Sequence, residues 1–395
     1  MAHALRILEL CSARQYVGEA AHVVDRAEAL ILQGHAVEIA ARRSFRVLEE
    51  AGKRGLPCLP AHMESRFRPF RDLADIRCLR KRIRAFRPHV VHAHRGKDHW
   101  LAALSLYGLS SRPVLIRTRH VMTPIRTHLA NRWLFGSATQ GLLCVSRAVA
   151  REVARAGGIL RAPVEVVPGG VNLRRLGNRD PQRVEALRRR LGVPAGAAVV
   201  SCLARLAPVK GQEHLLRAIP RIRERHPGTI FLFAFPRASD YRARLESLVE
   251  EARIEEAVRW ADESERVPDV LGLSDIGVLP SIGSEGWSRA TVEFLSFGVP
   301  VVATRVGCLP EIVREGETGR LVPPGDPGAL AAAVNDLLDR PEDRRRMGRA
   351  GREGVLREYT IERTAEGVLA FYQRLLDRSP LASRVGSGPE WGGSP

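Results

Sequence analysis

No run of about 18 consecutive apolar residues occurs in the 395-residue chain, so no stretch is apolar enough for a spanning helix. The first ten residues hold only a short apolar stretch that passes straight into a strand-like pattern. They lack the charged start, long apolar middle and small-residue cleavage site of a secretory signal, so a cytoplasmic protein is expected. None of the six cysteines (Cys11, Cys58, Cys78, Cys144, Cys202 and Cys308) belongs to a C-x-x-C pair, and several lie in apolar runs. That argues for reduced, buried thiols and against a disulfide frame or a zinc site. Aromatics make up only 5%, and no helix-turn-helix, zinc-finger or RNP-type signature occurs, which weighs against a nucleic-acid-binding protein. No D-x-D motif occurs either.

Lysine is scarce: Lys53, Lys81, Lys97 and Lys210 stand against 58 arginines. Acidic residues are missing altogether from His99 to Arg151. The formal charge of +18 is correspondingly uneven. Residues 1–180 hold 31 Lys/Arg against 14 Asp/Glu, a net +17, whereas the remainder holds 31 against 30. A basic first half points to an anionic partner: nucleic acid, a phospholipid surface or a phosphorylated substrate.

The length exceeds what one hydrophobic core usually serves, so two domains are expected. Stretches 4–10, 36–41, 56–59, 90–93, 114–118, 141–145 and 164–167 read as strands bounded by Gly, Pro or charge. Helical stretches such as 20–33, stopped by Gly34, alternate with them. The pattern restarts with strands at 199–204, 230–234, 258–260, 276–279, 299–303 and 320–322, separated by helices such as 212–225 and 240–252. Residues 169–194, rich in Arg and Gly, read as the connection between domains. A long helical stretch runs from 327 to about 376, and the Ser/Gly/Pro-rich tail reads as disordered. Strands alternating with helices imply two α/β doubly wound domains with parallel sheets. The expected division is 1–172, 173–360, a helix over 361–378 packing back on the first domain, and a tail over 379–395. Ligands bind beyond the carboxyl ends of such strands, so a cleft between the two domains is the expected site.

The chemistry concentrates in two stretches of the second half. In SIGSEGWSRATVEFLSFGVPVVATRVGCLP, Glu285 and Glu293 are separated by seven residues. With a helix beginning near Trp287, Glu293 lies about two turns in. Gly283 and Gly286 let backbone amides approach a ligand, and a helix start there offers free N–H groups to phosphate. The second carboxylate suits vicinal hydroxyls such as those of a ribose. In VSCLARLAPVKGQEHLLRA, a buried strand runs into Arg205, and Lys210 and Gly211 precede a helix. An arginine fork clamps a diphosphate, and a lysine adds a point charge. Taken alone, the two glutamates are equally what an ordinary surface helix would carry.

Together these stretches resemble family 4 of the retaining glycosyltransferases, which have the GT-B fold of two Rossmann-like domains facing across a cleft. The matching features are Arg205, Lys210-Gly211, Glu285/Glu293 and the run GVPVVATRVGCLPEIVREGETGRLVPPGD. In the first half they are Gln33-Gly34-His35, Val90 to His94, Thr118 to His120, Val145-Ser146 and Val167 to Asn172, so that the resemblance spans about residues 4–375. It implies that Arg205 and Lys210 hold the donor's phosphates and stabilise the leaving nucleoside diphosphate without a metal or other cofactor. It implies that Glu293 binds the donor ribose. Glu285 and the amides of Gly286, Trp287 and Ser288 would contact sugar and phosphates, with Gly211 beside them. His120 would face the donor sugar, and Gly18 the donor phosphates or the acceptor. The reaction would retain the anomeric configuration by front-face attack, the leaving phosphate helping to deprotonate the acceptor. The implied acceptor is a lipid-linked or cell-envelope glycan such as lipopolysaccharide. Two loops depart from the family pattern, Tyr16-Val17-Gly18-Glu19 and Phe235-Pro236-Arg237-Ala238. Alternatives on the same fold are a non-catalytic partner subunit and a nucleotide-sugar 2-epimerase.

Two further features need a reading. His89, His92, His94 and His99 resemble a metal cluster, but alternate strand positions point in opposite directions and no nearby carboxylate or cysteine completes a site, so packing or acceptor contact is expected. Residues 66–97 carry 11 Lys/Arg with only Asp72 and Asp75. Leu73, Ile76, Leu79, Ile83 and Phe86 recur there at near-helical spacing, which makes a basic amphipathic helix. Either its charged face is simply solvated, or it docks peripherally on anionic lipid at the inner face of the plasma membrane.

Overall fold

The computed structural model describes residues 4–14, 16, 18–43, 45–234, 240–262 and 265–378. The chain divides into two compact units, Met1–Gly169 with Ile361–Pro395, and Gly170–Thr360. The expected tail over 379–395 and the departing loop Phe235-Pro236-Arg237-Ala238 lie outside the described residues, as does Val17 of the other departing loop.

Unit 1 alternates β1 (Arg6–Cys11), α1 (Glu19–Leu32), β2 (Ala36–Arg42), α2 (Arg46–Lys53), β3 (Cys58–Ala61), α3 (Pro69–Phe86) and β4 (Val90–Ala93). It continues through α4 (Gly96–Leu106), β5 (Val114–Arg119), α5 (Leu129–Trp133), β6 (Gly141–Cys144), α6 (Arg147–Ala154) and β7 (Val164–Val166). The strands pair in parallel in the order β3-β2-β1-β4-β5-β6-β7. The central strands are buried on both faces, which is why β1, β4 and β6 read as near-continuous apolar runs.

Unit 2 opens with two helices, α7 (Leu173–Leu176) and α8 (Pro181–Arg190). The stretch 169–194 therefore joins the units only at its first residues, Gly169 and Gly170, and the rest of it folds as part of unit 2. Asp180 caps α8 through the amides of Gln182 and Arg183, Pro181 fills the first turn, and Val184 and Leu187 join the core. There follow β8 (Val199–Leu203), α9 (Gln212–Arg225), β9 (Ile230–Ala234), α10 (Asp240–Glu251), β10 (Val258–Ala261) and α11 (Val267–Leu273). The unit closes with β11 (Ile276–Leu279), α12 (Arg289–Ser296), β12 (Val301–Thr304), α13 (Leu309–Ile312), β13 (Gly319–Val322), α14 (Pro327–Asp339) and α15 (Pro341–Glu358). Its parallel sheet runs β10-β9-β8-β11-β12-β13.

The long C-terminal helical stretch is in fact three helices. Pro341 has no amide hydrogen for a continuous ladder, so α14 stops at Asp339. At Thr360 the backbone bridges to Val171, and α16 (Ile361–Asp377) then begins. This last helix buries Val368, Phe371, Tyr372, Leu375 and Leu376 in the core that holds Val23, Val24, Ala27 and Leu30 of α1. Each such side chain contributes about 1.5–3 kcal/mol. The strand β6 meets it closely: a Cβ on Gly141 would lie 2.5 Å from Leu375 and 2.8 Å from Phe371.

Candidate functional site

Strand order fixes where each unit can bind a ligand. In unit 2 the chain runs outward from β8 to β9 on one side and, after crossing back, from β11 to β12 on the other. The loops leaving β8 and β11 therefore flank the switch point, where doubly wound sheets leave a crevice. These are the loops that carry Arg205, Lys210 and Gly211, and Glu285, Gly286, Trp287 and Ser288.

Backbone contacts hold the two loops against each other. The amide of Ile282 donates to the carbonyl of Val209 at 3.0 Å. Gly211 has φ +70°, and a Cβ there would lie 2.0 Å from the carbonyl oxygen of Pro280, so only glycine permits both the left-handed turn and the approach. The Glu285 loop is also propped from behind. Cys308 donates its amide to the Glu285 carbonyl at 2.8 Å, and Gly307, at φ +54°, comes so close that a Cβ would sit 2.0 Å from that same oxygen. Thr304 Oγ1 donates to the Ser281 carbonyl at 2.6 Å. Ser284 sits in the left-handed region at φ +54°, a conformation that costs a non-glycine residue about 1–2 kcal/mol.

The result is an ion pair between Lys210 Nζ and Glu285 Oε1, with Ser281 Oγ donating to the same carboxylate oxygen at 2.5 Å. Glu285 is 2% exposed, and Lys210 reaches it from a half-buried position. Arg205 is exposed, and its guanidinium has no partner among the described residues. Its carbonyl accepts from Gln212 Nε2 at 3.0 Å, which ties the loop to α9. Ser288 is the residue before α12, so the helix starts at Arg289 rather than near Trp287. Glu293 consequently lies one turn into the helix, not two, with Oε1 held by Arg289 Nε at 2.7 Å. Trp287 packs its ring 5.6 Å from that of Tyr359. Gly286 is buried. Burial pushes the Cys202 thiol up to about 12, and burial and then Glu285 raise Cys308, so the thiols nearest this site are inert. All six cysteines are free.

In unit 1 the switch point lies between β1 and β4. Gly18, at φ +42°, precedes α1 there, and His120 directly follows β5. Of the four clustered histidines, two serve the scaffold. His89 Nδ1 accepts from the Arg6 amide at 3.1 Å, and burial drives its pKa down to about 4. His99 Nε2 bonds Thr139 Oγ1 at 2.7 Å. His92 and His94, two positions apart, lie on one face and stack at 4.5 Å.

A carboxylate does join them, from another strand. Glu9 of β1 lies fully buried beside His94, with Oε2 2.7 Å from Nε2. Glu9, His92 and His94 place their ligand atoms within 4.8 Å of one another, close enough to hold a metal ion. The chain brings its own cation instead. Arg26 of α1 donates from Nη2 to both Glu9 oxygens at 2.7 and 2.8 Å, and lies 2.8 Å from His94 Nε2. His92 bonds Tyr372 of α16 and Thr118 of β5, each at 2.5 Å, and His94 Nδ1 meets His120 Nε2 at 3.0 Å. Glu9 and Arg26 were not singled out from the sequence. The signal available was one carboxylate in an otherwise apolar central strand, which requires a buried partner.

Helix α3 buries Leu79 and Ile83 together with Asp72 and Asp75, the latter accepting the amides of His62 and Met63. Its outer side is basic. Arg77, Arg80, Lys81 and Arg84 surround a recess, and Arg77, Lys81 and Arg84 make no ion pair among the described residues. No helix among the described residues is long and apolar enough to cross a membrane.

Two family models match the chain: Glycosyltransferase Family 4 over residues 18–175, and Glycosyl transferases group 1 over residues 183–354. Among curated relatives, an MMP alpha-(1->4)-mannosyltransferase from Mycolicibacterium hassiacum is 30% identical over 60% of this chain and 54% of its own length. A GDP-mannose-dependent alpha-(1-6)-phosphatidylinositol monomannoside mannosyltransferase from Mycolicibacterium smegmatis is 34% identical over 49% of this chain and 52% of its own. The chain thus spans about half the length of the curated relatives it matches. Among solved structures, a glycosyltransferase from Rickettsia africae superposes with TM-score 0.85 at 19% identity, covering 95% of this chain and all of that one. Anabaena Alr3699/HepE, solved with UDP and glucose, gives TM-score 0.80 at 20% identity over 93% and 99% of the two chains. At these identities the structural likeness establishes the fold, which is GT-B.

Proposed function

Because the chain belongs to glycosyltransferase family 4, we propose that it moves a sugar from a nucleoside-diphosphate donor to a lipid-linked or cell-envelope glycan, such as a lipopolysaccharide, with retention and without a metal ion. The observation that carries this reading is the Lys210–Glu285 pair at the switch point of unit 2. A buried carboxylate holds the ammonium in a fixed place, and an arriving diphosphate competes for it with greater charge. Arg205, exposed and without a side-chain partner among the described residues, closes on the same phosphates as a fork. Charge builds on the leaving diphosphate as the glycosidic bond breaks, and two preplaced cations supply the stabilisation for which other enzymes use a metal. The amides at the start of α12, after Gly286, Trp287 and Ser288, add donors to those oxygens. Glu293 accepts from the ribose hydroxyls once Arg289 yields. Gly211 supports Lys210 by letting its loop approach Pro280. Gly18 leaves room at the start of α1 for phosphate or acceptor, and His120 presents its ring to a sugar hydroxyl. Attack on the front face lets the leaving phosphate take the acceptor proton, so no general base is assigned. The UDP complexes of Anabaena Alr3699/HepE support a nucleotide-sugar donor.

Thermal-shift measurements with UDP, GDP and ADP and their sugar conjugates, with and without EDTA, test this. One nucleotide is expected to raise the melting temperature by mass action, about 2.7 kcal/mol of stabilisation at a hundred times its Kd, with no effect of EDTA. A shift abolished by EDTA would remove the metal-free mechanism. No shift with any nucleotide would remove the donor site and leave a non-catalytic relative.

A second observation bears on the acceptor. Phe67 and Phe70, 80% and 88% exposed, lie just before and in the first turn of α3, the helix that further along carries Arg77, Lys81 and Arg84, which make no ion pair among the described residues. Each basic side chain near an anionic bilayer contributes about 1 kcal/mol, and exposed aromatics settle at its interface. This face therefore serves as a peripheral anchor on the inner side of the plasma membrane. Co-sedimentation with anionic vesicles at low salt is expected, weakening by 0.5 M salt as screening sets in. An Arg77→Ser, Lys81→Ser, Arg84→Ser variant that still pelleted like the parent would move the anchor elsewhere.

A further inference from the structure

The carboxyl edge of the unit 1 sheet opens where the strand order reverses. The chain leaves β1 through α1 towards β2 and leaves β4 through α4 towards β5, and right-handed crossovers carry the two helices to opposite faces. Their first turns therefore flank a crevice. On one side, Asp98 of α4 spends its oxygens on backbone amides, that of Ser12 at 3.1 and 3.2 Å and that of Arg95 at 2.9 Å. On the other, α1 starts at Glu19 without a side-chain cap, so its first amides have no partner within the helix.

Two buried atoms in this crevice are idle. Arg117 of β5 is 3% exposed, and its Nη1 has no hydrogen-bond partner among the described residues. The guanidinium reaches into the crevice, since its charge acts on Asp98 and His99 of α4 and on Glu19 of α1. Glu19 Oε1 is likewise buried without a partner among the described residues, and Oε2 lies 3.9 Å from Arg95 Nη1, too far for a hydrogen bond. A donor and an acceptor left open in this way each cost folding free energy. The crevice is accessible at Gly18, where a Cβ would meet nothing within 4 Å, and at Arg95, whose side chain is 47% exposed.

We propose that Glu19 and Arg117 form an acceptor subsite for neighbouring hydroxyls of an uncharged polyhydroxylated ring, Glu19 Oε1 accepting from one hydroxyl and Arg117 Nη1 donating to the next. The charges select a neutral ring. Arg95 and Arg117 stand against Glu19 and Asp98, two of each sign, so an anionic group would meet the carboxylates and a cationic one the guanidinium groups. A hydroxyl both donates and accepts, and it fills the pair without adding charge. That the ring is an acceptor rests on the sugar-transfer reading; that the crevice binds it does not. Burial, opposed by Arg95 and Arg117 and aided by Asp98, raises the Glu19 pKa to about 7. Ionising Glu19 therefore costs the folded chain stability as pH rises from the ordinary glutamate range, and the cost is complete above pH 7.

Saturation-transfer NMR of the full chain at pH 8, without nucleotide, tests the subsite with glucose, mannose and myo-inositol as probes. At least one ring is expected to receive saturation, and inorganic phosphate is expected not to displace it. Glu19→Ala, and Arg117→Lys, which keeps the charge but loses the Nη1 donor, are each expected to weaken that binding about tenfold or more. Glu19→Gln is expected to melt above the parent at pH 8, with most of the difference gone at pH 5. No saturation of any neutral ring, displacement by phosphate, or parent-like binding in both variants would overturn the proposal. So would a Glu19→Gln protein that melted below the parent at pH 8, since Glu19 would then be a scaffold residue. Ring binding with no nucleotide shifting the melting temperature would leave the subsite and remove the transfer reading, and a nucleotide shift without ring binding would do the reverse.

Discussion

Replacing Lys210 with alanine is expected to lower sugar transfer about a hundredfold or more, the usual consequence of removing one preplaced donor from developing charge. The geometry adds a second, separable effect. Lys210 is the partner of Glu285, whose only other side-chain hydrogen bond among the described residues is from Ser281 Oγ. Without the ammonium, a carboxylate that is 2% exposed has one hydroxyl to answer it. A buried charge answered so poorly destabilises the folded variant. Since Lys210 remains partly exposed, that loss should stay below the about 3–5 kcal/mol of a fully buried broken pair. Adding Glu285→Gln removes the orphaned charge and is expected to return most of the melting temperature, but none of the transfer rate. Lys210→Arg keeps the charge on a longer fork and should recover only part of the rate. The measurements are transfer under saturating donor and thermal midpoints across pH 5 to 9. A Lys210→Ala protein that transferred sugar like the parent would end the catalytic assignment of this loop.

That loop was legible because its chemistry is local. A strand, a Lys-Gly turn and a helix follow each other within a dozen residues, and Gly211 needs a left-handed turn whatever else surrounds it. The strands were legible for a similar reason: buried parallel strands are apolar throughout, and helices and glycines bound them. What failed to show was whatever depended on distant pairing. The join between α15 and α16 hides in the sequence because apolar spacing continues through it, and only the bridge from Thr360 to Val171 reveals the break. The stretch 169–194 reads as a connector because α8 is almost entirely arginine on its outer side, and the contribution of Val184 and Leu187 to a core is invisible without α11. His92 of β4 and His94 just after it looked incomplete because their carboxylate comes from β1 and the phenol from α16, 280 positions from His92.

The network in unit 1 predicts the largest stability effect in the chain. Arg26 and Glu9 are 1% and 0% exposed and share two hydrogen bonds. Burial lowers the arginine's pKa, but the opposing carboxylate outweighs it and leaves the guanidinium charged. Arg26→Ala strands Glu9 among apolar neighbours and two imidazoles, and is expected to cost about 3–5 kcal/mol. That is a large share of the 5–15 kcal/mol that holds a typical domain together. The cost lies in the orphaned carboxylate rather than in the lost attraction. Arg26→Met with Glu9→Gln should therefore melt much closer to the parent than either single variant, because no buried charge is left without its partner. The same substitution also vacates the place of a cation. Glu9, His92 and His94 then face an unfilled gap with their ligand atoms within 4.8 Å, the donor set of a three-ligand zinc or cobalt site. Cobalt(II) is expected to raise the melting temperature of Arg26→Ala and to give a visible absorption band, while leaving the parent unchanged. If cobalt stabilised the parent equally, the guanidinium would not be the resident cation.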